Sequence, residues 1–125
     1  MDKLLKLDFD DALPDANHLK FICDKLDINV IDVQVHRTVK GYHMRILIDN
    51  PELCDPEIVL IQCLMGSDKK RECLNYLRVL NNTKHWNVLF KTKEDMNGNF
   101  LSGEVLDGNL TELFKKDLIN RSLKC

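Results

Sequence analysis

Two runs rich in β-branched residues, Asn29 to Thr38 and Tyr42 to Asp49, are separated only by Val39-Lys40-Gly41. Both alternate apolar with polar residues, the period of a half-buried strand, and the glycine suits a tight reversal. A hairpin here constrains the fold more than any other feature. Alone it is marginal in water, so the rest of the chain must cover its apolar face.

The flanking segments can provide that cover. Lys3 to Phe9 is a short apolar run ending in acids and reads as a buried strand; the proline of Ala12-Leu13-Pro14 then suits a loop or a first helical turn. From Asp15 to Leu26, Ala16, Leu19, Phe21, Ile22, Cys23 and Leu26 follow helical spacing, and Asp15 can cap the start. Asp55-Pro56-Glu57 reads as a cap, a first-turn proline and an acid at the positive end of a helix running through Ile58, Val59, Leu60 and Leu64 to Gly66. Ser67-Asp68 caps a further helix, with Cys73, Leu74, Leu77 and Leu80 expected inside and Arg71, Asn75 and Arg78 forming an outward stripe. Trp86 to Lys93 alternates again and reads as a fourth strand. Asn97-Gly98 is a turn signal, Phe100 to Leu106 a short strand, and Asn109 to Leu123 an amphipathic helix.

Strand, helix, strand, strand, helix pair, strand is the βαββαβ order of ferredoxin-like and RRM-like α+β folds. The expectation is a four-stranded antiparallel sheet with helices on one face, plus a C-terminal helix. In that arrangement the first and third strands are the centre of the sheet. The 125 residues fit one domain, with 1–95 as the RRM-like core and 96–125 as an extension of it.

The net charge of -2 argues against coating nucleic acid by charge alone. Five cysteines, odd in number and with no CxxC pair, read as reduced thiols of a cytoplasmic protein. No apolar stretch approaches the ~20 residues of a membrane helix, so no membrane is expected.

Strand parity sends Leu5, Leu7 and Phe9 to the core and leaves Asp8 and Asp10 on the open face; likewise Met44, Ile46 and Ile48 turn inward while His43 and Arg45 turn outward. Two carboxylates two residues apart can hold magnesium or manganese and leave positions for water and phosphate, with Asp11 as a third oxygen. Arg45 offers phosphate a fork of donors and His43 one more, with Lys40 and Arg37 adding charge. In isolation these acids equally suit a solvated strand end, and His43 and Arg45 could simply face water. Their shared parity is what groups them. Lys69, Lys70, Arg71 and Arg78 could track a nucleic-acid backbone from the later helix, or form a solvated helix face. Trp86 could stack on a base, though a lone tryptophan entering a strand more often packs in a core.

Leu7-Asp8-Phe9-Asp10-Asp11 and Thr38-Val39-Lys40-Gly41-Tyr42-His43 together resemble the acid-x-acid and glycine-x-histidine motifs of the archaeo-eukaryotic primase superfamily, over roughly residues 3 to 93. The resemblance implies a reduced primase-polymerase-like core with metal-dependent nucleotidyltransferase chemistry in replication, of archaeal or viral type. It implies that Asp8 and Asp10 bind catalytic metal and that His43 contacts the triphosphate of a nucleotide. The family's third acid has no clear counterpart, and Lys91 stands near its expected place. The competing expectation is a non-catalytic RRM-like module that binds a protein partner or forms a homodimer through the C-terminal helix.

Overall fold

The structure, a computed structural model, describes residues 2–89, 92–94, 100–102 and 104–114. The predicted hairpin is present as β2 (Val30–Arg37) and β3 (Gly41–Ile48), paired from Arg37 opposite Tyr42 to Val30 opposite Ile48. Thr38 closes the turn: its N–H donates to Gly41 O at 2.9 Å and its Oγ1 accepts from Gly41 N at 3.0 Å. Gly41 is required for a reason beyond the turn. A Cβ at this position would stand 1.9 Å from the carbonyl oxygen of Phe9, so any side chain would force the first strand off the hairpin.

That first strand, β1 (Lys3–Asp10), pairs antiparallel with β3 along its whole length. Leu5, Leu7 and Phe9 on β1, Val33 and Val35 on β2, and Met44, Ile46 and Ile48 on β3 are buried as their alternation requires. Helix α1 (Ala16–Lys25) contributes Leu19, Ile22 and Cys23 to the same core, and Asp15 caps it by accepting from Asn17 N at 2.9 Å. Helix α2 (Asp55–Leu64) adds Ile58, Val59 and Ile61. Its N-cap is Cys54 rather than Asp55, with Glu57 reaching back to Cys54 N at 2.9 Å. Helix α3 (Lys69–Leu80) follows, then β4 (Thr92–Glu94), β5 (Phe100–Ser102) and β6 (Val105–Asn109).

The fold is α+β with an open four-stranded antiparallel sheet, but the strand order is β1-β3-β2-β6, with β4 and β5 forming a separate pair. Three expectations are corrected here. First, β1 is an edge strand, and β3 and β2 are the centre. Second, residues 86–89 form no strand; among the described residues β4 (Thr92–Glu94) pairs with β5 and does not join the four-stranded sheet, while Phe90 and Lys91 lie outside them. Trp86 is buried in the core. Third, Val105 to Asn109 is the strand that completes the sheet, beside β2, and a helical turn at 111–114 carries Phe114 into the core. The remainder of the expected C-terminal helix lies outside the described residues. Among those described, no helix is long and apolar enough to cross a membrane.

Polar side chains explain the vacant neighbour position beside β1. In an antiparallel ladder every second residue turns both its backbone groups toward the unpaired side, and here those residues are Leu4, Lys6 and Asp8. Gln62 Oε1 accepts from Lys6 N at 2.9 Å and Ser67 Oγ from Asp8 N at 3.0 Å. Arg71 donates to Lys6 O at 2.7 Å, Asn87 to Leu4 O at 3.3 Å, and the Asp68 N–H to Asp8 O at 2.7 Å. Glu72 ties these groups together, accepting from Gln62, Ser67, Asn75 and Arg71.

Helix α3 is therefore turned opposite to expectation. Arg71, Glu72 and Asn75 are buried, whereas Cys73, Leu74, Leu77 and Leu80 are exposed. An apolar face against β1 would have stranded its free backbone donors and acceptors, at about 1–3 kcal/mol for each group left unsatisfied. The polar face satisfies them.

Candidate functional site

On the face of the sheet away from the core, the register sets side chains in rows. Asp8 of β1 stands opposite His43 of β3, which stands opposite His36 of β2; in the next row Lys6 is opposite Arg45, and Arg45 opposite Gln34. Asp10 follows Asp8 on the same face, opposite Gly41. The turn beyond it is tied to this end, because the Asp11 N–H donates to Lys40 O at 2.9 Å. Thus Asp8, Asp10, Asp11, Lys40, His43 and Arg45 are gathered at one region of the sheet.

Glu104, immediately before β6, reaches over this face. Arg45 Nη1 donates to Glu104 Oε1 at 2.6 Å and Nη2 to Oε2 at 3.1 Å, a two-point contact that fills the guanidinium fork. Arg45, expected to await a phosphate, instead holds an internal carboxylate. Burial alone would raise the Glu104 pKa, but hydrogen bonds from Arg45 and His43, with the Arg45 charge and the nearby His36, outweigh it and bring it down to about 2. The carboxylate is ionised at neutral pH.

An ionised carboxylate only accepts, so the ring protons can be placed. His43 Nδ1, 3.0 Å from Glu104 Oε2, carries hydrogen and donates. His43 Nε2 then points at Asp8 Oδ1, 3.5 Å away, and makes no hydrogen bond. The Arg45 guanidinium is a donor only, so His36 Nδ1, 3.1 Å from Arg45 Nη1, accepts and His36 carries its hydrogen on Nε2, 3.8 Å from Glu104 Oε1. His43 is 0% exposed. It was expected to meet ligand on an open surface, and instead it lies buried between Asp8 and Glu104, bonded to the second.

The later basic residues separate from this group. Arg71 is buried and gives four of its five donors to Lys6 O, Val88 O, Asn87 and Glu72, within the protein rather than toward a nucleic-acid backbone. Arg78, on the last turn of α3, donates to Asn75 Oδ1 at 3.1 Å. Sequence reasoning missed Glu104 and His36. The signal for His36 was available, since it shares parity with Gln34 on the polar side of β2 and lies opposite His43. Glu104 had no such signal, because its role depends on β6 joining β2.

A shallow groove beside Asp8 and Asp10 is also lined by Ser67, Asp68 and Lys69. Among the described residues, no group of three or more His, Cys, Asp or Glu side chains is arranged to hold a metal ion. The donors on this face, two carboxylates on one strand and a buried imidazole nitrogen, suit a cation that takes the rest of its shell from water or a ligand. No protein-family model matches the chain, and no curated protein or solved structure is significantly similar to it.

Proposed function

We propose that the chain binds a divalent cation, magnesium or manganese, together with a nucleotide or nucleic-acid phosphate at the Asp8–His43 end of its sheet, as a compact primase-like domain. The alignment of Asp8 with His43 carries this reading. Their facing atoms, Oδ1 and Nε2, lie 3.5 Å apart in a register held along the full β1–β3 ladder. A carboxylate oxygen and an imidazole nitrogen held this close can share a proton or turn together toward a cation.

Asp8 and Asp10 supply the one or two carboxylates by which magnesium is commonly held, and Asp11 stands next in the chain. Lys40, exposed in the turn joined to Asp11, is placed to meet the phosphate charge. His43 is a positioning residue in this scheme. Anchored through Nδ1 to Glu104, it holds its other nitrogen against Asp8. Arg45 fixes Glu104, which becomes the third carboxylate of the face. Bound metal would neutralise phosphate charge and align an attacking hydroxyl for nucleotidyl transfer without a covalent enzyme intermediate.

Titration calorimetry with manganese and a non-hydrolysable nucleoside triphosphate tests the proposal. Wild-type protein is expected to bind both ligands, the nucleotide only when metal is present. Asp8→Ala and Asp10→Ala abolish metal binding, and Lys40→Ala weakens nucleotide binding while sparing the metal. No heat from wild-type protein with either ligand overturns the reading.

A further inference from the structure

Asp8 faces His43 across the ladder, yet the bonds of that ladder do not hold Asp8 itself. Its amide and carbonyl turn away from β3, toward the side of β1 where no strand lies. What holds them is the turn between α2 and α3. Ser67 Oγ accepts from Asp8 N at 3.0 Å, and the Asp68 N–H donates to Asp8 O at 2.7 Å. One turn therefore grips both backbone groups of the residue that presents its carboxylate to His43.

The grip is oriented from inside the molecule. Ser67 is 3% exposed, and its hydroxyl donates to Glu72 Oε2 at 2.6 Å. With its one proton committed to Glu72, the Ser67 oxygen offers Asp8 N a lone pair, so the sense of that bond is fixed. Glu72 is held in turn by Gln62, Asn75 and Arg71. The same turn lines the groove beside Asp8 and Asp10, through Gly66, Ser67, Asp68 and Lys69. A buried network thus ends at the backbone of Asp8, and the turn that carries it borders the opening at which a cation would meet Asp8 and Asp10.

Resting on the cation reading of Asp8, we propose that Ser67 is a positioning residue of that site and fixes its preference for a small ion. Magnesium demands a near-ideal octahedral shell at about 2.0–2.1 Å, whereas calcium accepts a flexible one at about 2.3–2.6 Å. A carboxylate whose backbone is gripped on both groups suits the first ion. One that shifts with a loosened strand end still serves the second. Loss of the Ser67 hydroxyl therefore costs magnesium more than calcium.

Two measurements on the full chain test this, one of them without metal. In the metal-free protein, Ser67→Ala should speed hydrogen exchange of the Asp8 amide about tenfold. An unchanged rate means that Ser67 does not hold Asp8 and overturns the proposal. In calorimetric titration, Ser67→Ala should weaken magnesium binding about tenfold, as removal of a support behind a metal ligand does, and calcium binding by less than about threefold. Ser67→Cys, which fills the same space with a weaker acceptor, should move the ratio of the two affinities in the same direction. Gln62→Met is the comparison: it removes the equivalent bond to Lys6 N, from the same network, and should leave the ratio within about twofold of wild type. A ratio moved equally by Gln62→Met reduces Ser67 to a general support of the strand and overturns the proposal. So does an unchanged ratio in Ser67→Ala when wild-type protein binds both ions, a result that leaves the cation reading standing. Wild-type protein that binds neither ion overturns the cation reading itself, and the role of Ser67 with it.

Discussion

Helices α1 and α3 are both amphipathic and capped by an aspartate, yet they sit on the sheet in opposite senses. Leu19 and Ile22 of α1 are buried in the core, whereas α3 buries Arg71, Glu72 and Asn75 and exposes Leu74 and Leu77. The difference lies in what each helix meets. Helix α1 covers apolar side chains rising from the sheet. Helix α3 meets the side of β1, where unpaired amides and carbonyls demand polar partners. Amphipathicity says that a helix has two faces, and the neighbouring element decides which one turns in.

The most severe way to break this contrast is Glu72→Gln. It leaves the Arg71 guanidinium buried with its countercharge gone, at a cost of about 4 kcal/mol in urea unfolding at neutral pH. A change under about 1 kcal/mol would mean that the polar network does not hold α3 in place. Leu19→Ala probes α1 and should cost about 3 kcal/mol by opening a cavity in a fully buried site.

Glu104→Gln tests the partly buried carboxylate–arginine contact on the other side of the sheet, by roughly 1–2 kcal/mol at neutral pH. The folded-state pKa of Glu104, about 2, lies below its ordinary value of 4.5. Its contribution is therefore complete above pH 4.5 and lost as the pH falls toward 2. The wild-type stability curve should drop across that window and the variant's should be flatter there; parallel curves would count against the contact.

Asp15→Ala should cost about 1 kcal/mol, since it removes a cap on the conventionally packed helix. Leu77→Ser, measured at dilute protein concentration, should change stability by less than about 0.5 kcal/mol. If Leu77→Ser cost as much as Leu19→Ala, the inverted packing of α3 would be wrong.

The same contrast shows what could be read from the residues. The hairpin, the parity of β1 and β3, and the places of three helices follow from periodicity and caps, which are local signals. The meeting of Asp8 with His43 was legible because parity and a single ladder determine it. The facing of α3 was not, because it depends on which edge of the sheet lies beside it. Nor was the fourth strand: Trp86 to Lys93 and Val105 to Asn109 both have strand-like stretches, and only the side-chain occupation of the β1 edge favours the second. Glu104 was hidden behind that choice.

His43 and Arg45 precede Glu104 by 61 and 59 residues. As the chain is synthesised, the hairpin and β1 can associate well before residue 104 emerges. Until then the nascent sheet face carries an arginine and a histidine that lack the carboxylate they share in the finished molecule. Glu104 brings Arg45 and His43 the carboxylate they share, and it stands immediately before the strand that pairs with β2. The contact that satisfies Arg45 and the pairing that completes the sheet are therefore made by one short stretch of chain.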